Sequence, residues 1–276
     1  MKLGIASIAF LNNNIRSKTF EYSQKLLFDA FEKTLLFAER NNLELCEFIL
    51  DPPEFLMSPE KEHFIELFNS FPSIEKQIHA PYVDLSLCSL NGWIRRATIK
   101  TYAECAKFAN KVKANLLTIH PGNVKFLHHS YKNIQKVLET SLNHLLKEIS
   151  DLKVFPSLEN MQNKYKIFFD VSEISSFFKN FKEKELYFTW DTGHSKTSNL
   201  NIEQLWSELH HRIKNIHLAD NYHIFEDSHP ELGTGNVNFS KIFEISQNYN
   251  YKGAYIMELH RLEDLVKSLN YVYKFI

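Results

Sequence analysis

Eight short apolar runs, spread along the chain and separated by longer amphipathic stretches, are what most limits the architectures open to this sequence. The runs are residues 2–8 (KLGIASI), 43–50 (LELCEFIL), 74–79 (IEKQIH), 115–120 (NLLTIH), 153–159 (KVFPSLE), 185–191 (ELYFTWD), 213–219 (IKNIHLA) and 254–260 (AYIMELH). Each has the length of a strand. Between them lie helical patterns: Leu27, Phe28, Phe31, Leu35 and Ala38 fall along one stripe of residues 22–41, and residues 91–112 and 131–152 repeat the pattern. Residues 170–181 open on Asp170 as N-cap with Glu173 at capping-box distance, and residues 237–247 and 261–276 close the series. Strand followed by helix, repeated, is the signature of a parallel sheet covered by helices. The 276 residues leave about 34 for each of eight units, the size of one βα repeat. The expected fold is therefore α/β, a single (βα)8 barrel occupying residues 1–276 as one domain. A doubly wound open sheet is the alternative. It would carry fewer strands and a glycine-rich phosphate turn after the first, where this chain reads AFLNNN.

Composition narrows the class. No Pro/Gly/Ser-rich linker divides the chain, and a hydrophobic content of 44% supplies a sizeable core. The formal net charge of -1 gives no support to a protein that grips nucleic acid through its backbone. Cys46, Cys88 and Cys105 are odd in number and sit in apolar or helical stretches, so they read as buried thiols in a reducing compartment. The start MKLGIASIAF turns polar too quickly for a signal peptide, and no apolar run approaches the roughly 18 residues of a membrane span. A soluble, cytoplasmic protein with no membrane partner is expected.

In a barrel of this kind, functional groups gather at the C-terminal ends of the strands. The third run ends in His79, the fourth in His120, the fifth in Glu159 and the sixth in Asp191, with His194 just beyond. The seventh ends near His217 and the eighth near Glu258, and the loop after the seventh adds Asp227 and His229. Six consecutive strands thus deliver His, Asp or Glu to one rim. These are the nitrogen and oxygen ligands of divalent Zn, Mn, Co or Mg. Asp227 and His229 are two apart, so in an extended segment their side chains point the same way. Carboxylates packed so closely repel unless a cation neutralises them. A lone histidine at a strand end is more often structural than a ligand, and a lone buried glutamate is as readily in a salt bridge; the joint pattern carries the reading. Asp191 is expected to hold a metal and His194 a neighbouring one. His63, His128, His129, His144, His210 and His211 fall in or beside helical stretches and receive no role, and nothing supports one for His223 or His260.

In order along the chain, IHAPY, IHPGN, LEN, DTGH, HLAD, DSHPELGTGNV and MEL resemble the xylose-isomerase-like barrels, a superfamily of sugar phosphate isomerases and epimerases together with the endonuclease IV group of repair enzymes. The resemblance spans nearly the whole chain. The endonuclease IV pattern implies three metal sites: His79, His120 and Glu159; Glu159, Asp191, His217 and Glu258, with Glu159 bridging; and His194, Asp227 and His229. The sugar-isomerase pattern uses the second set alone, with Glu159 and Glu258 also suited to moving protons. Several departures oppose the nuclease. This chain has DTGH where those enzymes read DTCH or DTAH, HLAD for HLND, and Leu259 after Glu258 where they have Thr. The loop after the second strand, LDPPEF, is acidic and proline-stiffened, where the nucleases carry aromatic and basic residues; Glu47 to Pro53 looks more like the sugar-isomerase type.

Tyr82 is expected over the pocket mouth, stacking on a sugar or a base or closing the rim, and Asn160 is placed to bond a substrate hydroxyl or cap a loop. Gly233 and Gly235 could cradle phosphate or simply permit a turn, and Arg95 and Arg96 could contact phosphate or lie on a solvated helix face. The expectation is a divalent-metal-dependent sugar or sugar-phosphate isomerase or epimerase with Glu159 and Glu258 catalytic, using one to three ions of Zn, Mn or Co on a small-molecule sugar-type substrate. The alternatives are an abasic-site endonuclease, the one reading with DNA as partner, and a catalytically silent metal-binding barrel.

Overall fold

The computed structural model describes residues 2–16, 23–123, 131–224 and 226–276. Eight strands, β1 (Lys2–Ala6), β2 (Leu45–Ile49), β3 (Glu75–His79), β4 (Leu116–Ile119), β5 (Phe155–Glu159), β6 (Tyr187–Asp191), β7 (Ile213–Leu218) and β8 (Ala254–Met257), close into one barrel in sequence order, and every neighbouring pair is parallel. Each expected run contains its strand, shortened at one or both ends. Ser7 and Ile8 leave the first run, because Ile8 already begins a helix. His120 and Glu258 each sit one residue past the end of their strand.

Among the described residues there are ten α-helices: α1 (Ile8–Arg16), α2 (Ser23–Arg40), α3 (Lys61–Asn69), α4 (Gly92–Lys111), α5 (Tyr131–Glu148), α6 (Val171–Phe178), α7 (Thr192–Thr197), α8 (Ile202–Leu209), α9 (Phe239–Asn248) and α10 (Leu265–Val272). Asp170 caps α6 by accepting the Glu173 N–H at 3.1 Å. Glu173 does not return the bond to Asp170, as a capping box would; its Oε1 accepts the Phe168 N–H at 2.7 Å. No helix among the described residues is long and apolar enough to cross a membrane. The three cysteines are buried and form no disulfide, and burial pushes each thiol up, which leaves them inert.

The period-2 alternation of strands divides the core in two. Outward-facing residues such as Cys46, Phe48, Ile78 and Trp190 join the helices in a large apolar layer rich in Phe, in which Phe31, Phe48, Phe64 and Phe68 pack ring on ring. A smaller apolar cluster of Leu45, Ile49, Ala254 and Ile256 lies on the other face of β2 and β8. Barrel interiors are commonly filled with Val, Ile and Leu. Here one interior layer is polar: Thr118 lies 3.3 Å from Thr189, Ser157 2.7 Å from Thr189, and Asn215 donates to Glu47 at 2.7 Å. Two residues further along the same strands, on the same face, stand His120, Glu159, Asp191 and His217.

Candidate metal centre

Nine side chains were expected to meet at this rim, and they do. Glu159 is the hub. Its Oε2 lies 3.3 Å from His79 Nε2 and 3.0 Å from His120 Nε2, and its Oε1 lies 3.3 Å from both His194 Nδ1 and His217 Nδ1. Two groups have the geometry to hold a cation as expected: His79, His120 and Glu159; and Glu159, Asp191, His217 and Glu258. The third differs. It comprises Asp191, His194 and His229, whereas Asp227 stands beside it, 3.4 Å from His194 Nε2 and 2.9 Å from His229 Nε2. Gln162 donates a short hydrogen bond to Asp227 and holds it there.

Local structure aims these groups. Asp191 ends β6 and caps α7, accepting the His194 N–H. Asp is a favoured N-cap because its carboxylate satisfies a free amide of the first turn. The DTGH segment is therefore a helix start, and the cap turns His194 back over the rim. The His79 ring meets the Ala80 carbonyl at 2.8 Å through Nδ1, which leaves Nε2 to face Glu159. His229, with φ of 42°, meets the Glu258 carbonyl at 3.1 Å through Nδ1 and turns Nε2 to Asp227. His194 Nδ1 meets the Asn160 carbonyl at 2.8 Å.

The second group passes a specific test of fit. Asp191 Oδ2, His217 Nδ1 and Glu258 Oε2 are all buried, and none makes a hydrogen bond of good alignment. They converge nonetheless: His217 Nδ1 lies 2.7 Å from Glu258 Oε2 and 3.9 Å from Asp191 Oδ2. An orphaned buried polar atom costs about 1–3 kcal/mol. Three of them aimed at one point, with the Glu159 carboxylate at hand as a fourth ligand, suit a divalent cation bound by oxygen and imidazole.

Charge follows the same plan. Burial pushes the Glu159 carboxyl up, but His217 and His120 more than reverse this and hold it well below the usual range. Burial also opposes charge on His217, yet Glu47, Glu258 and Glu159 raise it well above an ordinary imidazole. At Asp191 burial prevails. Helped by Glu258 and Glu159 against the pull of His194 and His229, it lifts the carboxyl from 3.8 to about 6. Strongly shifted groups cluster at functional sites and in buried ion-pair networks alike.

The remaining expectations divide. The Tyr82 ring stacks on His120 at 4.9 Å and meets His79 edge-on at 5.8 Å, and it is 40% exposed at the mouth. Asp51, from the acidic LDPPEF loop, accepts the N–H groups of Tyr82 and Val83 and braces it. Asn160 is corrected. It is fully buried, and its amide is spent on β6 and α7: Oδ1 accepts the Asp191 N–H at 2.7 Å, and Nδ2 donates to the Asp191 carbonyl at 3.0 Å and Ser195 Oγ at 3.2 Å. It positions Asp191, and its full burial keeps it from a substrate hydroxyl. The amides of Gly233 and Gly235 donate to Asp220 at 2.9 and 2.8 Å, so a buried carboxylate takes the place a phosphate would need. With φ of 85° at Gly233, these glycines serve the turn. Arg95 donates to the Ser89 carbonyl and Arg96 lies over Trp93. His260 stacks on His229 at 4.5 Å, and His128 and His129 lie outside the described residues.

Glu47, Asn215 and Gln162 contact residues of the centre without having been read as part of the site. The signal for Glu47 was legible: a carboxylate in the middle of the buried run LELCEFIL needs a polar partner inside the barrel.

The chain is similar to several known proteins. An uncharacterized protein of Methanocaldococcus jannaschii is 30% identical over 240 residues, covering 87% of this chain and 85% of its own. The probable endonuclease 4 of Aquifex aeolicus is 26% identical over 157 residues, covering 54% of this chain and 55% of its own. Among solved structures, a D-tagatose 3-epimerase-like protein superposes with a TM-score of 0.82 at 23% identity, over 100% of this chain and 97% of its own. The IolI protein with bound zinc superposes with a TM-score of 0.77 at 14% identity, over 100% and 96%. At those identities the two structures speak for the fold alone. The sequence profile of the xylose isomerase-like TIM barrel family matches residues 20–275, and with the closed barrel and its converging rim the chain belongs to that family.

Proposed function

We propose that this protein is a divalent-metal-dependent isomerase or epimerase acting on a small sugar-type carbonyl compound. The observation that carries the reading is the second ligand group, where Glu159 and Glu258 flank His217 and Asp191 at the rim of the barrel. Glu159, Asp191, His217 and Glu258 would hold the ion, which would polarise a carbonyl or hydroxyl of the substrate. Glu258 is the more accessible of the two glutamates, and it takes the proton from the carbon next to the carbonyl. Burial pushes its carboxyl up, but His217 and His229 outweigh this and bring it to about 2, so it stands ionised as a base must. Glu258 then returns that proton to the adjacent carbon, or releases it to solvent while Glu159, protonated from solvent, delivers one to the opposite face. Tyr82 covers the mouth, where its ring can stack on a sugar and exclude water. The epimerase-like neighbour supports the sugar-type substrate, and the zinc-bound one supports the metal.

A second reading, a metal-dependent abasic-site phosphodiesterase, is favoured by one observation: the third group of Asp191, His194 and His229, with Asp227 beside it, gives the rim room for more than one ion. The similarity to a probable endonuclease 4 points the same way. The experiment runs both chemistries on one metal-defined sample. A panel of ketoses and aldoses in D2O is followed by NMR beside cleavage of abasic-site DNA. Deuterium appearing at the carbon next to the carbonyl supports the isomerase. DNA nicking with no exchange on any sugar overturns it in favour of the nuclease.

A further inference from the structure

We propose that Glu47 is a positioning residue for His217: it holds the imidazole by its Nε2 edge, so that Nδ1 is the nitrogen offered to a metal, and it thereby sets the affinity of the centre. The inference rests on the metal reading above and goes beyond it to a carboxylate outside all three ligand groups.

Glu47 is the middle residue of β2 and is wholly buried. Its neighbours Cys46 and Phe48 pack in the outer apolar layer, so alternation turns Glu47 into the barrel. There Oε1 lies 2.8 Å from His217 Nε2, and Oε2 accepts from Asn215 Nδ2 at 2.7 Å and Thr118 Oγ1 at 3.3 Å. Oε1 is buried and makes no well-aligned hydrogen bond, and the imidazole edge 2.8 Å away is the polar group it faces. A buried carboxylate is expensive unless a hydrogen bond or a charge compensates it. Filling space inside a barrel does not require one, since Leu or Met would pack as well. Its presence against one nitrogen of a ring whose other nitrogen faces Glu258, Glu159 and Asp191 is what needs explaining.

Two effects follow. The Nε2 edge is met by Glu47 Oε1 at 2.8 Å and by the donor Asn215 Nδ2 at 3.0 Å, which Glu47 Oε2 itself holds, so a ring flip would set carbon against both. A carboxylate beside Nε2 also makes the imidazole a better donor through Nδ1, a relation that recurs around metal-bound histidines. Glu47 touches neither substrate nor ion.

The test is Glu47→Gln, which keeps the shape and removes the charge, with Glu47→Asp as the variant that keeps the charge. Zinc and manganese affinities are read by chelator competition, thermal unfolding is read in EDTA, and 15N-histidine spectra are read on the zinc-loaded protein. Glu47→Gln is expected to weaken metal binding about 10- to 100-fold and to shift the His217 nitrogen signals. The unfolding temperature in EDTA should fall by a few degrees at most, because His217 loses a counter-charge while glutamine keeps an acceptor for Asn215 and Thr118. Glu47→Asp should recover part of the affinity. Affinity within about threefold of wild type overturns the inference, as does a loss matched by an equal fall in the unfolding temperature in EDTA, which would mark a structural role. Wild type that takes up no metal in the same titration overturns the reading of the centre itself, which separates the two failures.

Discussion

Glu159 and Asp191 are fully buried carboxylates of one cavity, and neutralising them should move the stability of the chelated protein in opposite directions. Burial raises both, but at Glu159 the surrounding imidazoles win and at Asp191 they lose. The Asp191 carboxyl rises from 3.8 to about 6, so at neutral pH its ionised form costs the folded state about 3 kcal/mol at 1.36 kcal/mol per pH unit. The sign follows from proton counting. Between 3.8 and about 6 the native protein holds a proton that the unfolded chain has released, so wild type loses stability as pH rises through that window. Asp191→Asn removes that loss, and its Oδ1 can still accept the His194 N–H. In EDTA at pH 7.5 this variant should be more stable than wild type by roughly 1–3 kcal/mol, an unfolding temperature up to about 8 °C higher. The advantage should shrink as pH falls toward 4. Glu159→Gln strips the anion from four imidazoles at 3.0–3.3 Å and should cost about 3 kcal/mol or more, as breaking a buried pair does. Urea or thermal unfolding in EDTA across pH 4–8 reads both variants. The electrostatic account is refuted if the two shift the same way, or if Asp191→Asn is destabilised at pH 7.5.

Other expectations follow from single contacts. The Glu173 carboxyl is raised by burial from 4.5 to about 7, so wild type should lose stability as pH rises across that window. Glu173→Gln, which keeps an acceptor for the Phe168 N–H, should gain roughly 1–3 kcal/mol at pH 8 and nothing at pH 4, measured by denaturant midpoints. Asp220→Ala leaves the amides of Gly233, Gly235 and Val237 without their acceptor and should cost about 3 kcal/mol or more by thermal unfolding. Tyr82→Ala, which removes the ring stacked on His120, should raise KM for the sugar substrate about tenfold and leave kcat nearly unchanged.

The architecture was legible because each strand announced itself in an apolar run, and all eight runs contain a strand. The rim was legible for a related reason: a barrel strand delivers whatever residue ends it to one face, so strand-end His, Asp and Glu could be read directly. Contacts decided by loop geometry and alternation could not be read this way. Asp227 and His229 share a direction in an extended segment, yet His229 has a left-handed backbone, and it is Asp191 that completes the group with His194 and His229. Asn160 follows a rim glutamate in sequence, but its amide is consumed by β6. Gly233 and Gly235 look like a phosphate turn until Asp220, 13 and 15 residues earlier, claims their amides. In each case a residue distant in sequence settles the matter.

The most direct measurement of the central claim is a crystal structure of the purified protein with manganese or zinc, with data collected across the absorption edge of the metal. The account predicts an anomalous peak bounded by Glu159, Asp191, His217 and Glu258, with ligand distances of about 2.0–2.3 Å and His217 bound through Nδ1. Clear density for those four side chains with no peak among them at saturating metal would contradict it.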